Sequence, residues 1–366
     1  MFQAIVSAFT PFIPCSADFA STDFPRTSAD RAVRHLPAPA LLLACVALLA
    51  PAPGSAQDPH PGLEPFLERA RVEYGLDADA VAELLAGAEF QQRVADLIAR
   101  PAEAKPWYDY RPIFMTDQRL EEGLAFWRAN EALIEEVSER YGVDPQVIVA
   151  IIGVETFYGR ITGTFRVLDA LTTLSFYYPR DRTRDRTAFF SKELLEYVKL
   201  GDEEQLPLPD VTGSYAGAMG MGQFMPSSYR AYAVDFDGDG RRDLWQSTPD
   251  VVGSVANYLA VHGWEAGGPV VRDVSLQPDA DLALFERSNY KPTETVLSFH
   301  EQGIRSSADL EPDRPAALVR LEGKEDDLHW MTFNNFYVIT RYNRSPMYAM
   351  VVYQLSEALR AGMETP

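Results

Sequence analysis

Residues 147–160 read VIVAIIGVETFYGR, an apolar run that carries a single carboxylate, Glu155. Asp144 and Pro145 precede it as an N-cap and a proline at the first helical position, and Gly159 offers a C-cap. The spacing predicts a helix on which Ile152, Ile151, Ile148 and Val147 stand three, four, seven and eight positions before Glu155. Glu155 therefore continues an apolar stripe. It also falls in the last turn, where the negative end of the helix dipole disfavours a carboxylate. Desolvation and dipole push its pKa the same way, upward, toward a group still protonated near neutral pH. A general acid has that property. The competing reading is structural: a buried glutamate paired with Arg160 or Arg166. The local sequence leaves the two about equal.

The chain has 366 residues, room for one large domain or two to three modest ones. Its composition is that of a globular protein, 46% hydrophobic and 23% charged, so the fold has to be read from pattern. A net charge of −20 argues against a nucleic-acid partner and against electrostatic docking on an anionic membrane. A neutral or amphoteric polymer such as a glycan is compatible.

Arg31 and Arg34 precede the apolar stretch 40–50, ALLLACVALLA, and Gly54 and Ala56 form a small-residue cleavage site before Gln57. This reads as a secretory signal, too short for a comfortable membrane span, and predicts a periplasmic protein. Residues 1–56 are assigned to the signal and an upstream extension. Translation starting at Val33 would account for an upstream segment unlike any signal n-region. Both cysteines, Cys15 and Cys45, precede the cut, so the mature chain would lack disulfides and thiol chemistry. Residues 42–45, LLAC, resemble a lipoprotein box, and anchoring to the outer membrane through Cys45 is the minority expectation.

Helical periodicity dominates 63–100. The aromatic segment PWYDYRPIF, 106–114, is expected as an irregular crossing, followed by one long helix from Thr116 to Tyr141 that ends at Gly142. Residues 180–186 form a charged loop, and AFFSKELLEYVKLG, 188–201, an amphipathic helix. PVVRDV, 269–274, and AALVRLEG, 316–323, alternate like strands among prolines and aspartates. Helices return at NFYVITRYN, 335–343, and after Ser345-Pro346. The expectation is a mainly α (α+β) protein. Its parts are a helical N-terminal region at 57–112, a core at 113–268, a small β-containing insertion at 269–328 and C-terminal helices at 329–366 that complete the core.

The run 213–229, GSYAGAMGMGQFMPSSY, carries four glycines within ten residues, which permits tight turns and close backbone approach to a ligand. Ser214 and Gln223 supply neutral groups suited to sugar hydroxyls and acetamides, and Met219, Met221, Phe224 and Met225 supply apolar walls. A glycine-rich turn with methionine core contacts is the plainer alternative. Neither a Walker nor a dinucleotide-binding pattern is present, and no organic cofactor is implied. His262, His300 and His329 show no metal-ligand spacing.

Residues 235–243, DFDGDGRRD, follow the EF-hand pattern. Asp235, Asp237 and Asp239 take loop positions one, three and five, glycine position six, and Arg241 position seven through its carbonyl. Gln246 stands where the pattern has a glutamate, and Asp250 is the candidate to close the site. Three alternating aspartates repel one another without a cation, which favours bound calcium in a structural role.

VETFYGR (154–160), SYAGAMGMGQFMPSSYRAYAVDFDGDG (214–240), GSVANYLAVHGW (253–264) and FYVITRYNRSPMYAM (336–350) together resemble the lytic murein transglycosylase B family. The resemblance covers nearly the whole mature chain and implies a lysozyme-like catalytic core flanked by helical and β-containing parts. It implies cleavage of the β-1,4 bond between N-acetylmuramic acid and N-acetylglucosamine in peptidoglycan, leaving a 1,6-anhydromuramic end. The family's catalytic glutamate falls on Glu155. Ser214, Gln223, Tyr110, Tyr258, Tyr342, Asn343 and Tyr348 match substrate-cleft positions, and Asp250 matches the family's elongated metal loop. Glycan strands are the implied partner, and other cell-wall enzymes fit the same setting. A hydrolytic muramidase and a catalytically silent peptidoglycan-binding protein are the rival readings.

Overall fold

The computed structural model describes residues 60–99, 105–179 and 185–365. The expected signal segment, both cysteines and most of the charged loop at 180–186 lie outside the described residues. The chain is mainly helical, with short antiparallel sheets.

The centre is helix α7, Pro145–Thr156, in which every residue from Val147 to Thr156 is buried. Burial on all faces, rather than along one stripe, marks a core helix wrapped by others. Around it pack α5 (Asp117–Ala129), α6 (Glu131–Tyr141), α11 (Thr248–Val261) and α15 (Pro346–Glu364). Of the N-terminal helices, α1 (Leu63–Tyr74) rests on α9 (Thr187–Glu204), α3 (Gln92–Ile98) on α8 (Val167–Phe176), and α2 (Ala78–Ala86) packs on α1. The Asp169 carboxylate fastens them, accepting from Glu89 N at 2.9 Å and Gln91 Nε2 at 3.3 Å.

Two expectations change. The 106–114 segment is a helix, α4 (Trp107–Phe114), because Trp107, Tyr110 and Phe114 recur at helical spacing and are all buried; Pro112 is tolerated inside it. The long helix expected from Thr116 to Tyr141 is broken at Asn130, which ends α5 and begins α6. Asn130 turns its amide back onto Phe126 O at 2.8 Å, a local bond that competes with the helical ladder.

Residues 271–332 form a five-stranded antiparallel sheet, β3 (Val271–Leu276), β4 (Glu294–Thr295), β5 (Ile304–Ser306), β6 (Pro315–Leu321) and β7 (Leu328–Thr332), in the order β4-β6-β7-β3-β5. It has its own small core, with Phe285, Val296, Phe299, Leu318 and Met331. The short pair β1 (Phe165–Arg166) and β2 (Thr212–Gly213) is the element that matters for the site. It brings the segment leaving α7 against the start of the glycine-rich run.

Candidate active site

Glu155 is 2% exposed in the last turn of α7. The two arginines weighed as its partners pair with other carboxylates: Arg160 with Glu122 and Arg166 with Asp169. Oε1 of Glu155 accepts instead from the Tyr348 hydroxyl at 2.6 Å.

The end of α7 is not capped by Gly159. Phe157 and Tyr158 both take left-handed backbone (φ 54° and 58°), a costly conformation for aromatic residues. What holds it is one face of α5 together with Gly153 of α7 itself. A Cβ on Gly123 would stand 2.2 Å from the Tyr158 hydroxyl, and one on Gly153 2.5 Å from the Tyr158 ring. These two glycines form the slot that receives that ring. Arg119, 2% exposed, stacks 4.6 Å from the Phe157 ring and donates to Ile113 O and Phe114 O, both at 2.9 Å. Burial lowers the Arg119 pKa to about 10. Arg119, Glu122 and Gly123, at helical spacing, thus grip the turn that follows the carboxylate. Sequence reading missed this grip because each contact lies far along the chain.

The glycine-rich run is tied to the same helix end. Thr156 Oγ1 donates to Met221 O at 2.8 Å, and Gln223 Nε2 donates to Thr162 O at 3.0 Å and Gly220 O at 2.9 Å. Gln223, Phe224, Met225, Ser228, Tyr258, Tyr342 and Asn343 then enclose a pocket with Glu155. Its volume is about 40 Å³, room for a functional group and not for a sugar ring. Met225, Ser228 and Tyr258 also line a wider adjoining cavity of about 480 Å³.

Tyr342 donates to Gly222 O and Tyr258 to Arg341 O, each at 2.5 Å, and their rings meet edge to face at 4.8 Å. Burial, and next the Glu155 charge, raise the Tyr342 and Tyr348 hydroxyls well above the ordinary tyrosine value. Both are neutral donors at any working pH. Asn343, 3% exposed, ends α14 (Asn334–Tyr342) in extended conformation. Its Oδ1 accepts from Ser345 N at 3.1 Å, while Nδ2 has no hydrogen-bond partner among the described residues. A buried amide donor left unpaired at a pocket wall calls for an explanation.

Two of the expected cleft residues lie elsewhere. Ser214 is buried with its Oγ accepting from Ala216 N and Ala218 N, so it shapes the glycine-rich turn and does not line the pocket. Tyr110 is wholly buried on α4, its ring packed against those of Trp107 and Phe114, and it does not line the pocket. Ser228 was not singled out by sequence, although Pro226 at the start of α10 (Pro226–Tyr232) sets it in the first helical turn.

The model of the Transglycosylase SLT domain family matches residues 59–357. The chain belongs to that family. It is 38% identical to the membrane-bound lytic murein transglycosylase B of Escherichia coli over 82% of this chain and 83% of the relative. Among solved structures, the Escherichia coli lytic transglycosylase Slt35 in complex with calcium shares 37% identity, with a TM-score of 0.74 over 84% of this chain and 95% of that one. SltB3 from Pseudomonas aeruginosa in complex with NAG-anhNAM-pentapeptide shares 30% identity, with a TM-score of 0.68 over 81% of this chain and 78% of that one. These transglycosylase relatives support the lysozyme-like, mainly helical reading of the fold.

In this transglycosylase domain the acidic loop lies between α10 and α11. Carboxylate oxygens of Asp235, Asp237 and Asp250 all fall within 4.8 Å of one another. Asp250 is fully buried and its two oxygens accept from Phe236 N and Asp243 N, both at 2.8 Å. Burial raises its pKa, and the nearby Asp237 charge adds to the effect. Asp239 is turned to Arg241 N at 2.9 Å and stands outside that trio. Three hard oxygens converging around a buried carboxylate suit calcium or magnesium rather than a softer metal.

Proposed function

We propose that this chain is a lytic transglycosylase of peptidoglycan in which Glu155 serves first as general acid and then as general base. The observation that carries the reading is the buried Glu155–Tyr348 pair at the bottom of a pocket with the Asn343 amide on its wall. Tyr348 holds Oε1, so the transferable proton is assigned to Oε2. That proton goes to the glycosidic oxygen as the bond to C1 of the muramic sugar breaks. The resulting carboxylate takes the proton of the muramic C6 hydroxyl as that oxygen attacks C1, closing the anhydro ring. One carboxylate suffices because the substrate supplies its own nucleophile, already held in place.

Gln223, Tyr258 and Tyr342 form the walls that orient the sugar, and Asn343 Nδ2 donates to its acetamide. Ser214 acts indirectly, through the turn that presents Gln223, and Tyr110 through the packing of α4. Hydrolysis would need a second carboxylate poised over the same bond. Glu193 and Glu196 stand in the adjoining cavity and are engaged elsewhere: Glu193 accepts from Ser227 N and Oγ, and Glu196 pairs with Arg230 and accepts from Tyr74. Digestion of purified sacculi tests the reading. The expected muropeptides end in anhydromuramic acid; reducing muramic ends, heavier by one water, would establish a hydrolase instead.

Calcium is assigned to the acidic loop, with Asp235, Asp237 and Asp250 as carboxylate ligands, Asp239 turning in on binding and Arg241 offering its carbonyl. The loop leads straight into α11, which carries Tyr258, so the ion would stiffen one wall of the pocket without touching substrate. Calcium at a hundred times its Kd should stabilise the fold by about 2.7 kcal/mol. A melting temperature indifferent to calcium and to chelator would remove the metal from the account. Export by the N-terminal signal would place the enzyme in the periplasm with its glycan substrate. No helix among the described residues is long and apolar enough to cross a membrane.

A further inference from the structure

A separate cavity of about 410 Å³ shares no lining residue with the Glu155 pocket or with the wide cavity beside it. It opens between the loop that follows α9, residues 205–212, and the end of the acidic loop, residues 241–246. The second of these walls lies against the glycine-rich run, with Leu244 O accepting from Met221 N at 2.7 Å. Gly220 permits that approach, since a Cβ there would stand 2.5 Å from Leu244 O. The cavity thus adjoins the same backbone run whose Gln223, Phe224 and Met225 wall the catalytic pocket.

The lining combines an aromatic surface with neutral polar groups. Trp245 is half-buried and leans on the buried Tyr229 ring, centroids 5.9 Å apart. The Tyr229 hydroxyl donates to Arg242 O, which fixes the ring on which the indole rests. Gln205, Thr212 and Gln246 are exposed and line the same space. The Trp245 indole N–H, the Thr212 hydroxyl and the Gln246 amide make no hydrogen bond among the described residues. The charged groups are balanced within the lining. Arg242 pairs with Glu204, and Asp243 Oδ1 accepts from Trp245 N at 2.8 Å and Gln246 N at 3.0 Å. Asp210 and Arg241, both exposed, are opposite in sign.

We propose that this cavity is an ancillary glycan-binding site, in which the Trp245 indole stacks on an N-acetylhexosamine ring while Gln205, Thr212 and Gln246 reach its hydroxyls and acetamide. The inference rests on the peptidoglycan reading and goes beyond it, because bond cleavage needs only the Glu155 pocket. A pyranose presents a face of C–H groups and a rim of neutral donors and acceptors, which is the complement of this lining. An ion would find no net charge to hold it. A polymer gripped at two places leaves more slowly than one gripped at a single place, so the site would keep the enzyme on the sacculus between cleavages.

The test compares two substrates at a fixed calcium concentration. On a peptidoglycan tetrasaccharide, which the cleavage site itself occupies, Trp245→Ala should keep kcat/KM within about two-fold of wild type. On long glycan strands its KM should rise about ten-fold while kcat is unchanged. Gln246→Ala, which leaves the Trp245–Tyr229 packing alone, should move KM in the same direction by a smaller factor. A second measurement titrates an N-acetylglucosamine hexamer into Glu155→Gln, where two sites are expected, and into Glu155→Gln/Trp245→Ala, where one is expected. An unchanged KM on long strands, equal losses on the two substrates in both variants, or a single site in both titrations overturns the ancillary site and leaves the transglycosylase reading intact. A wild-type protein that cleaves neither substrate overturns the reading on which the proposal rests.

Discussion

Glu155→Gln should abolish lysis of sacculi, lowering the rate by about a thousand-fold or more while the protein remains folded. The substitution keeps the shape of the side chain and an oxygen for the Tyr348 hydroxyl to reach, so the 2.6 Å contact survives in kind. What disappears is a proton that can be given up and taken back. Both halves of the reaction depend on it, which is why the loss exceeds that expected for a group acting once. Residual binding is expected, since the walls contributed by Gln223, Tyr258, Tyr342 and Asn343 are untouched. Lysis and glycan binding should therefore separate cleanly in this variant. An active Glu155→Gln protein would mean that another group protonates the leaving oxygen.

Gly163→Ala should damage stability and activity together. Residue 163 lies between α7 and β1 with φ +98°, and a Cβ there would stand 2.0 Å from Gly213 O and 2.6 Å from Ser214 N. Both obstacles are backbone, held by the pairing of Phe165 with Gly213, so no side-chain rotation relieves them. Backbone strain and overpacking combine to a cost of about 3 kcal/mol or more. The displacement would travel into the glycine-rich run and pull Gln223 from Thr162 O, one of its two anchors. Gly75→Ala is the control, because its φ is also positive (+62°) but no atom lies within 4 Å of the added Cβ. That change should cost only about 1 kcal/mol and leave lysis intact. Denaturant unfolding and a lysis assay on the two variants make the comparison. Equal losses would show that the 163–213 contact is not rigid.

Much of this arrangement is legible in the sequence, because its signals are local. Asp144-Pro145 marks the start of α7, the glycine spacing marks the 213–229 run as close-packed backbone, and Ser345-Pro346 marks the start of α15. What stayed hidden depends on contacts far apart in the chain. Phe157 and Tyr158 adopt backbone that propensity argues against, held by the Arg119–Gly123 face of α5 and by the space that Gly153 leaves on α7. The aromatic 106–114 segment reads as an irregular crossing, yet three aromatics buried at helical spacing outweigh a proline inside a short helix. Ser214 looked like a ligand contact because a serine among glycines suits either role. Its hydroxyl turned out to be engaged by two backbone amides.

The central claim is that one carboxylate suffices because the substrate's own hydroxyl, and not water, attacks C1. Digestion of sacculi in water enriched in heavy oxygen, followed by mass spectrometry of the released muropeptides, reads this directly. The account predicts anhydromuramic ends that carry no label, since water never enters the bond. Reducing ends with heavy oxygen at C1 would contradict it and require a second group in the cleft to activate water.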